Sequence, residues 1–454
     1  MGGDEAGGVV AEEGGGALTP EAWQLAFRRG LGRALERVNE VEPDVVRPVL
    51  LDACLNDRAF EAQIEGLRAR WMAEFIQRSS LGRELVTAVL DRVEEPTEVD
   101  WDAESRLEVL ARLAQAGRPE LRELVRQAYA KLYRRHPRGL APTALLLIDG
   151  REALLPFARL VGERLLTDPD DCEDERTWHE FDDYVGEGGL REALLSSAGM
   201  DVLVARVLQS FDETRAASAS RVPPVPQPVT EADLEAMLAG SETSQLISAG
   251  RRLSDLQVRD VFSRLESERD EQLLVRLLIL CQGHYFRFDR TRGRVCLPLP
   301  ERVRELAREG TQTVQEAALD IIERVQDPAG ASLAREALRL GPGRAPLAAF
   351  GLLGAHCETG DVPAVLTVLR GLPTDEMDPG DLQYGVVVPL FSMAESPAGP
   401  ALAGVFEWVY EHAYCGCCRA GAVDRLRKWG ALDANRRAEC RDDSSDDVRE
   451  SAGW

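Results

Sequence analysis

The sequence is short of lysine, of aromatic residues and of long apolar runs. All but Lys131 and Lys428 of its 54 basic residues are arginine, and 78 acidic residues leave a net charge of −24. That balance disfavours nucleic acid, where affinity comes from basic side chains displacing counterions from phosphates. The basic groups Arg28, Arg29, Arg33 and Arg37, and Lys131, Arg134, Arg135 and Arg138, are diluted by acidic neighbours. No apolar run approaches the roughly 18 residues that span a bilayer, so no membrane partner is expected. Residues 1–16 carry four acidic residues, no basic one and no apolar core, so they do not read as an export signal. A cytoplasmic location with reduced thiols is the expectation for the nine cysteines. Missing too are Gly-x-x-x-x-Gly-Lys, His-Glu-x-x-His and Gly-x-Ser-x-Gly, which removes the phosphate-loop, zinc-protease and serine-hydrolase signatures.

What is present is helix-forming. Hydrophobic residues make up 44% and aromatics only 6%, so the apolar mass is mainly Leu, Ala and Val. Thr19-Pro20 reads as an N-cap followed by Pro at the first helical position. Trp23, Phe27, Leu31, Leu35 and Val38 then share one helical face, and similar stripes follow through Leu208 and Phe211. Strand signals are confined to His284–Leu299, which reads as a loop or short hairpin. The expected fold class is all-α.

Four domain-level segments follow. Residues 1–16 read as a disordered tail, 17–215 as an N-terminal helical domain, 216–229 as a Pro-rich linker and 230–454 as a repeat domain. Pro223, Pro224, Pro226 and Pro228 cannot continue a helix and favour an extended spacer. In the last segment, turns at Asp327-Pro328-Ala329, Asp361-Val362-Pro363, Ser396-Pro397-Ala398 and Gly430-Ala431 recur at intervals of 34, 35 and 34 residues. Val314–Ala318 is echoed by Val448–Ala452, 134 residues on. Helix pairs with one uncovered apolar face must stack on their neighbours, which predicts an α-solenoid of antiparallel pairs.

These turns and the Val-x-Glu-x-Ala openings resemble HEAT and armadillo-like repeats. Further segments, Ala53-Cys54-Leu55 to Arg68, Leu147–Gly150, Gly162–Leu166, Cys415–Arg419 and Glu439–Asp442, resemble a family of bacterial HEAT-like α-solenoid proteins. The resemblance implies a fold and brings no catalytic residues or activity with it.

Two clusters suggest chemistry. His412, Cys415, Cys418 and Cys440 offer a Cys3His set for structural zinc, weighed against ordinary packing of small buried cysteines and against redox chemistry at a helix N-terminus. Asp170, Asp171, Glu173, Asp174, Glu175, Asp182 and Asp183 form an acidic patch suited to a basic partner. Glu175, His179 and Asp182 also share a helical face and could bind a metal, while the plainer reading is a solvated helix start beside a Trp178, Phe181 and Val185 stripe. Cys281 with His284, and His356 with Cys357, read as structural. The first functional expectation is a non-catalytic scaffold or adaptor that holds a basic protein or peptide. The second is an enzyme or enzyme-associated factor, lyase-like or metal-dependent, on a HEAT-like frame.

Overall fold

A computed structural model describes residues 18–56, 59–60, 68–95, 100–135, 140–168, 178, 180–181, 186, 189–220, 229–240, 242–286, 298–325, 327–339 and 348–453. It is all-helical, with no strand among the described residues. Two compact units emerge. The first comprises residues 1–221, 414–420 and 433–454, the second 222–413 and 421–432. The expected repeat domain of residues 230–454 is therefore distributed differently, because residues 414–420 and 433–454 group with the first unit.

The first unit opens with α1 (Pro20–Arg29), α2 (Gly32–Glu36), α3 (Pro43–Leu55), α4 (Ala69–Arg78), α5 (Gly82–Arg92) and α6 (Asp100–Gln115). It continues through α7 (Leu121–Arg135), α8 (Thr143–Asp149), α9 (Leu154–Thr167), α10 (Gly189–Ala198) and α11 (Val202–Ser220). Thr19 caps α1 by accepting from the Ala22 amide at 3.2 Å, with Pro20 at the first helical position. The Trp23-to-Val38 stripe is fully buried but is not one helix. Gly30, at φ +78°, ends α1 in the left-handed region that glycine enters without strain, and α2 restarts two residues later.

The scarce aromatics are concentrated. Phe27 lies 5.2 Å from Trp71, and Trp71 meets Phe75 edge-on at 4.7 Å. A second group joins Tyr133 to Phe157 at 5.6 Å and Phe157 to Trp178 at 5.1 Å. Such ring pairs add about 0.5–1.5 kcal/mol beyond their buried area. Trp178 and Phe181 are buried as expected, and Val185 lies outside the described residues.

The second unit begins with α12 (Glu231–Gly240), α13 (Thr243–Gly250), α14 (Asp255–Ser267), α15 (Glu271–Phe286), α16 (Glu301–Glu309) and α17 (Gln312–Val325). It continues with α18 (Pro328–Arg339), α19 (Ala348–Leu353), α20 (Val362–Arg370), α21 (Pro379–Leu382), α22 (Val388–Ser392) and α23 (Ala403–His412). Thr230 starts α12 as expected. Its hydroxyl accepts from the Asp233 amide at 3.1 Å, and Asp233 Oδ2 accepts from the Thr230 amide at 2.9 Å. Along this unit helices contact the helix after next: α13 with α15, α15 with α17, α17 with α19 and α19 with α22. The alternate helices do likewise, α14 with α16, α18 with α20 and α20 with α23. Helix α24 (Gly416–Lys428) gives its first turn to the first unit and the rest to the second. The short α25 (Ala434–Cys440) and α26 (Asp446–Ser451) return to the first unit.

Two sequence expectations change at their edges. The expected linker starts inside α11, which runs to Ser220; residues 221–228, with all four prolines, lie outside the described residues. The β-like stretch begins as helix, because α15 extends through Phe286, and residues 287–297 also lie outside. The expected tail falls in the undescribed 1–17.

Candidate functional site

His412, the last residue of α23, places Nδ1 at 2.9 Å from the Trp408 carbonyl oxygen, with its ring stacked on Trp408 at 4.4 Å. Cys415 is buried just before α24, Cys418 is half-buried in its first turn, and Cys440 is buried at the end of α25. The half-buried Cys417 Sγ points at Asp447 Oδ2 from 3.9 Å. His412 belongs to the second unit and the three cysteines to the first. Among the described residues, no three His, Cys, Asp or Glu side chains converge to hold a metal ion. The proposed zinc set is therefore not assembled as a cluster.

What these segments do assemble is a buried ion pair. Arg419, wholly buried, donates from Nε to Asp443 Oδ2 at 3.2 Å and from Nη2 to Asp443 Oδ1 at 2.8 Å. Its Nη2 also reaches Ser444 Oγ at 3.0 Å, and Nη1 donates to the Tyr414 carbonyl at 2.9 Å. Asp443 Oδ1 accepts in addition from the Ser445 amide at 2.9 Å. A fork–fork pair with both partners fully hydrogen-bonded is the arrangement in which burying two charges is tolerated.

Around it the segment 439–449 is fastened to the first helices. Trp71 Nε1 donates to the Asp442 carbonyl at 2.8 Å, and the Ser444 amide donates to the Gly30 carbonyl at 2.8 Å. Arg33 bonds Glu439, Arg78 bonds Asp442, and Arg449 grips both oxygens of Glu74 at 2.9 and 3.2 Å. The approach is close enough that a Cβ on Gly30 would land on Ser444 Oγ, and one on Gly32 on the Glu439 carbonyl.

The same guanidinium edge recurs elsewhere. Arg126 Nε and Nη2 hold Asp149 at 2.8 and 2.6 Å. Arg304 holds Asp327 at 3.3 and 2.7 Å, and Arg335 holds Asp361 at 2.8 and 3.0 Å. Burial alone would raise Asp327 and Asp361, yet their arginines and the amides of Ala329 and Glu358 outweigh it and hold both carboxyls below the ordinary range. Both aspartates are the turn residues singled out by the sequence period. Their arginine partners, 23 and 26 residues earlier, were not. An arginine at that offset before each turn aspartate was the signal available.

The acidic patch Asp170, Asp171, Glu173, Asp174, Glu175, Asp182 and Asp183 lies outside the described residues, as does His179. Cys281 is buried in α15, and burial raises its thiol; His284 is buried beside it with its ring edge-on to Tyr285 at 5.6 Å. Burial likewise pushes Cys357 up to about 11, and its neighbour His356 offers its carbonyl to Arg335 at 3.3 Å. Neither pair forms a nucleophile–base arrangement.

Two features escaped the sequence reading. Glu323 on α17 is raised by burial and by the like charge of Asp320, against Arg324, and a Cβ on Gly351 would collide with its carboxylate. In the first unit an open groove of about 610 Å³ is lined by residues that include Arg151, Glu152, Leu154, Leu155 and Glu192. No described helix is long and apolar enough to cross a membrane. The chain matches no family model, no curated protein and no solved structure.

Proposed function

We propose that the chain is a HEAT-like α-solenoid that works as a non-catalytic scaffold, holding a basic protein or peptide. The observation that carries this reading is the packing of each helix on the helix after next along residues 243–412, joined by the repeated Arg304–Asp327 and Arg335–Asp361 links. Modules that bury their apolar faces only against neighbours present an extended surface whose use is binding. The excess of acidic side chains supplies the sign of the partner, through long-range attraction that ionic strength attenuates.

The test is affinity capture at low and then raised salt, followed by direct titration of the identified partner. The scaffold reading expects a basic protein whose association rate and affinity fall steeply with salt. A partner that binds independently of salt, or none at any ionic strength, defeats it.

A further inference from the structure

One arginine breaks the pattern of the others. Arg425, half-buried on α24, lays its guanidinium over Phe391 at 4.9 Å and over Phe406 at 5.6 Å. Its hydrogen bond among the described residues runs from Nη1 to the Gly421 carbonyl, one turn earlier on its own helix, at 3.2 Å. Nε is buried with no acceptor, and Nη2 meets no carboxylate among the described residues. Its neighbours on the helix are otherwise engaged, since Asp424 takes Arg427 at 3.1 Å and Lys428 at 2.7 Å.

The Nε/Nη2 edge is the one with which Arg126, Arg304, Arg335 and Arg419 each grip an aspartate in this protein. Rings stacked on a guanidinium strip water from its faces while leaving its in-plane donors to be satisfied. Trp429, edge-on to Phe406 at 5.3 Å, extends the aromatic wall. We propose that Arg425, backed by Phe391 and Phe406, is a binding site for a carboxylate supplied from outside the chain, received side-on at Nε and Nη2. Nε lies beneath the surface, so the seat suits a flat, slender carboxylate end rather than a tetrahedral phosphate. A free organic acid and an acidic peptide side chain share that chemistry. The site is independent of the basic-partner scaffold reading.

The experiment is calorimetric titration of the full chain with benzoate, with a blocked peptide carrying one glutamate, and with inorganic phosphate. Saturable one-to-one binding of benzoate or the peptide is expected, with phosphate weaker, and the tighter of the two carboxylates identifies the source. Arg425→Gln should abolish binding, and Arg425→Lys, which keeps the charge and loses the fork, should weaken it about tenfold or more. Should either variant fold poorly, hydrogen exchange of the unaltered protein decides: protection of residues 421–428 by benzoate supports the site. Equal binding by Arg425→Lys, phosphate binding as tight as carboxylate, or no saturable binding with no protection overturns it.

Discussion

Single residues in the first unit are held by geometry that allows few substitutions. Asp443→Asn leaves Arg419 charged, buried and short of its counter-ion, which costs about 3–5 kcal/mol. Thermal unfolding should show a large drop for that variant. Replacing both partners with apolar residues of similar volume should cost less. Gly30→Ala combines the left-handed backbone with a collision against Ser444 Oγ, whereas a Cβ on Gly150, also at positive φ, meets nothing within 4 Å. Gly150→Ala should therefore cost only the backbone strain, about 1–2 kcal/mol, and Gly30→Ala clearly more. Adding Ser444→Gly should recover the difference, as measured by the same melts.

The thiols divide by burial. Cys54 is pushed up to about 12 by burial, and Cys281 is raised as well, so both remain protonated at neutral pH. Iodoacetamide should label Cys417 and Cys418, the two half-buried thiols, well before Cys54 or Cys281, with mass spectrometry of peptides giving the order. Glu323 supplies a pH signature. Because burial raises its folded-state value, its favourable contribution is complete below the unfolded carboxyl range and disappears as pH rises through the folded value. Glu323→Gln should raise the melting temperature at neutral pH, and the advantage should vanish in acid.

Among the elements, those with caps and long apolar stripes were legible. Thr19-Pro20 and Thr230 start helices because a hydroxyl can satisfy an orphan amide, a local matter that sequence records. The division of the first stripe into α1 and α2 was not legible. Trp23 to Val38 keep helical spacing, and the break at Gly30 follows from the close approach of Ser444, more than 400 positions away. The cysteine cluster misled for a related reason. Spacing suggested ligands, while the chemistry there is carried by Arg419 and Asp443, whose partnership is invisible until the segments meet. The turn aspartates give an element-scale prediction. The links from Arg304 and Arg335 are partly exposed, so solvent screening reduces their worth, and Asp327→Ala and Asp361→Ala should each cost about 1 kcal/mol. A double-mutant cycle between Arg335 and Asp361 should return coupling of that order, while one between Arg335 and Asp327 should return none.

At the scale of the whole molecule, the first unit is built from both ends of the described chain. Removing residues 433–454 strips partners from Trp71, Arg78 and Glu74 at once. Hydrogen exchange should then accelerate across residues 20–36 and 69–78, while residues 271–325 keep their protection. Uniform acceleration along the chain would argue that the two units do not unfold separately.

Translation adds a matter of timing. Arg33 emerges from the ribosome roughly 400 residues before Glu439 exists; at about 5–20 residues per second the early helices wait some tens of seconds for their last neighbours. Throughout that interval the indole of Trp71 and the carbonyl of Gly30 have no native acceptor or donor to find. A nascent chain arrested before position 433 should accordingly engage chaperones through its first hundred residues and be released once synthesis passes position 449.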